Sequence, residues 1–421
     1  MYFWYKLLTY LFYPLAPFYL FLRKIRNKED SVRYKEKLSK INIPRDNGFL
    51  IWFHVASVGE AMSILPLIDR CLMEDKIKNI LITSISLSSG KILKKKYSND
   101  SKVIHQFLPL DVPIYTNKFL NHWNPNLAIF IDSEIWPNLI WQINKKKIPL
   151  LLVNARITEK SFLRWKLVIN FAREIFGKFD SCIASNIQSE KFLKILGAKN
   201  IINYGNLKFS NIKNDTNKKL DTNFLDKINN RKIWCAASTH PNEEILCGNL
   251  HLKVKEKYKS LLTIIIPRHI DRVNKIKNDL ERLNLKIVLS STLDRLNSNT
   301  DILLVDSYGE ALKFYNISKC VFMGKSLVKS LIKDSGQNPI EPAKLGCKIF
   351  HGPNVSNFVE IYEYLKTLNI TKRINNSDEL SLSLVEEFKK DKAKDNGMAK
   401  IIENYGQNIF NNVILELKKY I

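Results

Sequence analysis

Ser57-Val58-Gly59-Glu60 follows an apolar run that closes on His54-Val55-Ala56. Two chemistries fit that spacing. Ser-x-x-Glu is the pattern of a capping box, in which a serine oxygen and a glutamate carboxylate satisfy loose N–H groups at a helix start. A glutamate just beyond the end of a buried strand is also where an α/β fold places a catalytic base. Residue types alone leave both open. The arrangement recurs. Ser133-Glu134-Ile135-Trp136-Pro137-Asn138 follows a second apolar run, Arg156 a third, and Leu207-Lys208 a fourth. Later in the chain, apolar runs lead into Thr239-His240-Pro241-Asn242-Glu243-Glu244, Arg268-His269, Ser307-Tyr308-Gly309-Glu310-Ala311 and Lys325-Ser326. Ser335-Gly336-Gln337-Asn338-Pro339-Ile340-Glu341-Pro342 then opens a short helical stretch.

Any one of these stretches reads as a helix cap, or as a first-turn carboxylate answering the helix dipole. Caps do not also require Lys208, Arg268 and His269. Helix N-termini beside Arg and Lys suit a phosphate-bearing ligand. No G-x-x-x-x-G-K-[ST] occurs and no G-x-G-x-x-G follows a strand, which argues against a P-loop ATPase and a standard dinucleotide site. No Asp-x-Asp points to a metal-bound sugar nucleotide. A nucleotide-linked donor, held by backbone dipoles and cations and met by a carboxylate base from an opposite domain, is the logic of a two-domain glycosyltransferase.

The elements that must position these residues are legible as short apolar runs alternating with helical patterns. Residues 49–55, 79–86, 103–110, 127–132, 148–155, 181–185 and 201–206 form one series. Residues 232–238, 261–267, 286–291, 301–306, 319–324 and 347–352 form another. Apolar strands between helices predict parallel sheets covered on both faces. The fold class expected is α/β, with two doubly wound Rossmann-like domains facing a central cleft and ligands at the carboxyl ends of the strands. The expected division is an N-terminal membrane anchor over 1–22 and a basic linker over 23–47. An acceptor-binding α/β domain over 48–210 and an interdomain linker over 211–231 come next. A nucleotide-sugar-binding α/β domain over 232–395 and a C-terminal helix over 396–421 complete the chain.

A chain of 421 residues is too long for one ordinary core. Lys and Arg exceed Asp and Glu by 25, so nucleic acid, an anionic membrane surface and a phosphorylated substrate are all compatible partners. A Lys-, Asn- and Ile-rich composition also raises the charge without any functional cause. The six cysteines are scattered, with no C-x-x-C, and read as reduced thiols in a cytosolic protein. The first 22 residues are apolar and aromatic and are followed by Arg23-Lys24-Ile25-Arg26. Charge behind the apolar stretch, with no small-residue cleavage site, is not the pattern of a secretory signal. The stretch is short for a span and is interrupted by Pro14 and Pro17, so it reads as a marginal span, an interfacial segment or a packed helix.

Nine ordered motifs resemble those of the bacterial 3-deoxy-D-manno-octulosonic acid (Kdo) transferase family. They are WFHVASVGE, FLPLDVP, DSEIWPNL, VNARIT, GNLKF, ASTHPNEE, IPRH, DSYGEA and NPIEPAKLG, spread over residues 52–346. The resemblance implies an inverting B-type (GT-B) glycosyltransferase that needs no metal or other cofactor. It would move Kdo from CMP-Kdo to lipid IVA, a lipid A precursor, at the cytoplasmic face of the inner membrane. The resemblance makes Glu60 the base, and Glu134 and Lys208 transition-state stabilisers. It assigns Arg268, His269, Gly309, Glu310, Ala311, Asn338, Pro339, Ile340 and Glu341 to CMP, with Glu341 at the ribose. The expected partners are CMP-Kdo, lipid IVA and anionic inner-membrane lipid, and no nucleic acid. Two places depart from the family pattern: Gly324-Lys325-Ser326 stands where Gly-Gly-Ser is usual, and Ser335-Gly336-Gln337 where Gly-Gly-His is usual. Rival readings are another inverting GT-B transferase with a different donor, and a basic membrane- or nucleic-acid-binding protein without catalysis.

Overall fold

A computed structural model describes residues 1–40, 43–210, 221–328, 335–390, 394 and 396–421. It contains two compact units, Met1–Ile212 with Tyr405–Ile421, and Lys213–Asn404. The first contains β1 (Phe49–Val55), β2 (Ile77–Ser84), β3 (Val103–Phe107), β4 (Leu127–Ile131), β5 (Leu150–Ala155), β6 (Ser181–Ala184) and β7 (Ile201–Asn203). They form one parallel sheet in the order β3-β2-β1-β4-β5-β6-β7. The second contains β8 (Lys232–Thr239), β9 (Leu261–Pro267), β10 (Ile287–Leu289), β11 (Ile302–Leu304), β12 (Cys320–Met323), β13 (Lys348–His351) and β14 (Thr371–Arg373). Its order is β10-β11-β9-β8-β12-β13-β14, again parallel throughout.

The central strands are apolar on both faces because helices cover both. Trp52, Phe119, Phe130 and Trp123 are fully buried around the first sheet, and Trp234, Phe322 and Phe350 around the second. The order of each sheet reverses beside its first strand, between β1 and β4 and between β8 and β12. Crossovers leave in opposite directions from such a point and open a crevice at the strands' carboxyl ends, where doubly wound folds bind ligands.

Strand ends differ from expectation in instructive ways. The run 103–110 stops being strand at Phe107, whose N–H is taken by the Glu36 carboxylate at 2.8 Å. Short β14 has no apolar run to announce it, because it is a polar edge strand paired on one side only. The polar stretch expected to separate the domains lies largely in 211–220, outside the described residues, and Thr222–Ile228 is helical.

The N-terminal segment is two helices, Tyr2–Leu11 and Ala16–Ile25, joined by a tight turn. Pro14 and Pro17 each stand in the first turn of their element, where a missing N–H costs nothing. Among the described residues no helix is long and apolar enough to cross a membrane. One face docks on the first unit. Tyr2 stacks on Trp141 at 3.9 Å, Ala16 and Leu20 are fully buried, and the Tyr5 hydroxyl donates to Asp111 at 2.9 Å. The other face leaves Phe3, Trp4, Leu8, Leu11, Leu15, Phe18 and Phe21 exposed.

Residues 23–40, part of the stretch 23–47 expected as a basic linker, lie against the first unit. Arg33 donates to the His105 carbonyl at 2.7 Å, and Lys37, held in a buried 2.6 Å ion pair with Glu29, donates to the Ile85 carbonyl at 3.2 Å. Charges whose partners lie on the folded body settle against it rather than spanning solvent.

Candidate active site

In the first unit, four strand ends converge on one cluster. Ser57 caps the helix Val58–Cys71, its oxygen accepting from Glu60 N–H at 3.3 Å. The Glu60 carboxylate turns back. Oε2 accepts from Ala56 N–H at 2.7 Å and Oε1 from the Ser57 hydroxyl at 2.7 Å. The capping-box reading of the sequence is therefore real. It does not consume the carboxylate, because an ionised carboxyl offers about four lone-pair sites and the cap uses two. Burial raises the Glu60 pKa above the ordinary carboxylate range, opposed by the two hydrogen bonds and aided by the nearby Glu134 charge. A raised pKa makes a stronger base.

Across the β1–β4 switch point, Glu134 Oε2 accepts from Trp136 Nε1 at 2.9 Å and lies 3.2 Å from His54 Nε2. His54 is fully buried, and its Nδ1 lies 2.9 Å from the Thr83 hydroxyl, which also accepts from Trp52 Nε1 at 2.9 Å. A carboxylate only accepts, so the proton of neutral His54 belongs on Nε2. Nδ1 is then the acceptor, and the Thr83 hydroxyl donates to it. The chain Trp52–Thr83–His54–Glu134 is thus polarised in one direction and fixes the carboxylate's orientation.

Thr83→Val should destabilise the protein by about 1–3 kcal/mol, because it strands a buried indole N–H and a buried ring nitrogen. Thr83→Ser keeps the oxygen and should recover most of that. Denaturant unfolding of the two variants decides the matter, and equal losses would show that the relay is not what holds this region.

Behind Glu134, Asp132 sits in the left-handed region (φ 61°) at the end of β4. Burial pushes its pKa up to about 6, opposed by Lys208 and Arg156 and reinforced by Glu60 and Glu134. These couplings place Glu60, Asp132, Glu134, Arg156 and Lys208 in one electrostatic cluster. Lys208 rides on a turn, Leu207–Ser210, that is tied down from several sides. Asn154 Oδ1 accepts from Leu207 N–H at 2.8 Å and Asn206 Oδ1 from Lys208 N–H at 3.0 Å. A Cβ on Gly406 would meet the Phe209 carbonyl at 2.1 Å, so only glycine lets the last helix approach this turn so closely.

In the second unit, Arg268 and His269 follow β9 and are exposed. Arg268 N–H donates to the Thr239 carbonyl at 3.0 Å, and the His240 and His269 rings meet edge to face at 5.9 Å. Gly309 adopts φ +81° ahead of the helix Ala311–Ile317, and nothing lies within 4 Å of where its Cβ would stand. Glu310 pairs with Lys313 at 2.6 Å. Asn338 accepts from Ile340 N–H at 3.1 Å, closing the turn into the helix Ile340–Lys344, on which Pro339 is the cap and Glu341 is exposed. Among the described residues, no cluster of three or more His, Cys, Asp or Glu could hold a metal ion.

Sequence reasoning placed Glu60, Glu134 and Lys208 together, and the structure brings them into one cluster. It passed over Asp132, which the apolar run 127–132 absorbed as a strand end, and the Thr83 link, which is 29 residues from His54. It also read Glu243 as a dipole-answering carboxylate. In fact Glu243 is fully buried, and accepts from His240 N–H at 3.0 Å, Lys325 N–H at 2.7 Å and Ser326 N–H at 3.2 Å. It ties the turn after β8 to the loop after β12.

Two parallel doubly wound units, with polar residues gathered at each switch point, define the GT-B fold. The UDP-GlcNAc 2-epimerase of Neisseria meningitidis has this fold, with a TM-score of 0.58 at 13% identity over 87% of this chain and all of that one. A glycosyltransferase from Rickettsia africae gives 0.51 at 13% identity over 89% and 98%. Residues 31–211 match the family model for 3-deoxy-D-manno-octulosonic-acid transferase. The 3-deoxy-D-manno-octulosonic acid transferase of Rickettsia bellii is 33% identical, over 92% of this chain and 96% of that protein. The chain belongs to the Kdo transferase family and is an enzyme of lipopolysaccharide core synthesis.

Proposed function

We propose that the protein transfers Kdo from CMP-Kdo to lipid IVA in a single inverting displacement that uses no metal ion. The observation that carries this reading is the pairing of Glu60 and Glu134 across the β1–β4 switch point in a member of this family. Glu60 takes the proton of the acceptor's primary hydroxyl through a lone pair that its cap leaves unused. The oxygen attacks the anomeric carbon, the bond from that carbon to the phosphate oxygen breaks, and CMP departs with the electron pair. Glu134, fixed by His54 and Trp136, stabilises positive charge developing on the sugar. Lys208 offsets negative charge gathering on the leaving phosphate. Arg268 and His269 hold that phosphate. Gly309, Glu310 and Ala311, with Asn338, Pro339, Ile340 and Glu341, complete the CMP site, Glu341 at the ribose.

The exposed apolar face of the N-terminal helices, flanked by Arg23, Lys24, Arg26 and Lys28, supports a place at the cytoplasmic face of the inner membrane, lying in the interface of anionic lipid. No nucleic-acid partner is invoked. The test is transfer of labelled Kdo, with CMP-Kdo generated in place, to lipid IVA in anionic phospholipid vesicles. Product of the expected mass and protein that floats with the vesicles are the expected results. Wild-type protein inert on this pair, beside an active relative, would reject the substrate assignment. Protein that stays in solution would reject the membrane assignment alone.

A further inference from the structure

The donor reading leaves one part of the ligand without a partner. CMP-Kdo carries two anionic groups beside the reacting carbon, the CMP phosphate and the carboxylate of the sugar acid, both attached to that carbon. Arg268 and His269 answer the first. The β8–β12 switch point offers a second set of groups. Lys325 follows β12 and His240 follows β8, and these strands are neighbours, with Ala237 opposite Met323. One buried atom, Glu243 Oε2, accepts from the backbone N–H groups of both residues, which holds the two turns together.

The Lys325 backbone is in the left-handed region, at φ 55°. A non-glycine residue there is uncommon and strained, and such strain gathers at ligand sites. Glycine is the relaxed choice at this position and is what the family pattern leads one to expect, yet this chain holds a lysine. Gly324 before it cannot change, since a Cβ would meet the Ser238 carbonyl at 2.6 Å and Thr239 Cα at 2.8 Å. The loop is therefore fixed against β8.

His240 Nδ1 lies 3.0 Å from the Ser238 carbonyl, which can only accept, so Nδ1 carries the proton. Burial, with Lys325, His269 and Arg268 nearby, holds the ring below the ordinary histidine pKa and hence neutral at pH 7. The Nε2 of a neutral ring with that tautomer is an acceptor suited to a hydroxyl.

Resting on the donor reading above, we propose that Lys325 and His240 form the subsite for the acidic sugar, with the Lys325 ammonium pairing with the carboxylate and His240 Nε2 accepting from a sugar hydroxyl. The subsite distinguishes a sugar acid from a neutral sugar, independently of the nucleotide.

The test is steady-state transfer by full-length Lys325→Gln and His240→Gln, with CMP as a competitive inhibitor in the same assay. Lys325→Gln should raise KM for CMP-Kdo about tenfold, as expected for loss of one charge-assisted contact, and leave the CMP inhibition constant within twofold (about 0.4 kcal/mol). Lys325→Arg should recover most of the loss. His240→Gln should show the same split. Equal weakening of CMP and CMP-Kdo would make Lys325 a phosphate contact and overturn the proposal, as would no effect on either. Wild-type protein that binds CMP but does not turn over CMP-Kdo would reject the donor reading, and this inference with it.

Discussion

Glu60→Gln lowers the transfer rate by about 10²–10⁴-fold, the range set by loss of a general base, while the fold and CMP affinity survive. The reason for the clean separation is the capping geometry. A glutamine amide oxygen can still accept from Ala56 N–H or from the Ser57 hydroxyl, whose own oxygen continues to cap the helix at Glu60 N–H. Only basicity is lost. Wild-type kcat should rise with pH through the Glu60 pKa, because the base works ionised. Burial puts that limb above the ordinary carboxylate range. In the glutamine variant the residual rate should lose that limb. Ser57→Ala provides the contrast. It removes one cap and costs about 1 kcal/mol, with only a modest change in rate. A glutamine variant as active as wild type would leave Glu60 as a helix cap and nothing more.

The strand ends that carry the candidate residues are legible in the sequence because they are local features. An apolar run closes and polar residues follow, as at Val55, Ile131 and Pro267. What orients those residues was hidden for the opposite reason. Thr83 reaches His54 only once β1 and β2 pair, and Glu243 meets Lys325 only once β8 and β12 pair. Each is an unremarkable residue until the sheet order is known. Composition does not separate the two faces of the N-terminal segment: its exposed aromatic residues suit a membrane interface, while Tyr2 and Tyr5 dock on the folded body. The spacing of Ser57 and Glu60 seemed to force a choice between cap and base, and lone-pair geometry removes that choice.

Lys208→Met should lower kcat by about 10²–10³-fold, the scale of removing one preorganised charge at a transition state, with little change in CMP affinity. Methionine keeps a stem of similar length, and the turn that carries it is held by groups other than the ammonium. Those groups are Asn154 on Leu207 N–H, Asn206 on Lys208 N–H, and the close approach of Gly406 to Phe209. The substitution therefore removes charge without moving the backbone. An effect on kcat rather than on CMP binding follows if Lys208 meets charge that exists only as the bond to phosphate breaks. Lys208→Arg restores the charge but not its compact shape, so partial recovery is expected.

The double variant Glu60→Gln/Lys208→Met separates mechanism from mere proximity. If proton removal and leaving-group departure belong to one concerted step, the combined loss falls short of the product of the single losses. Single losses that multiply fully would place the two residues in separate steps. An unchanged kcat in Lys208→Met would remove Lys208 from the chemistry and leave it as the cation that restrains Asp132.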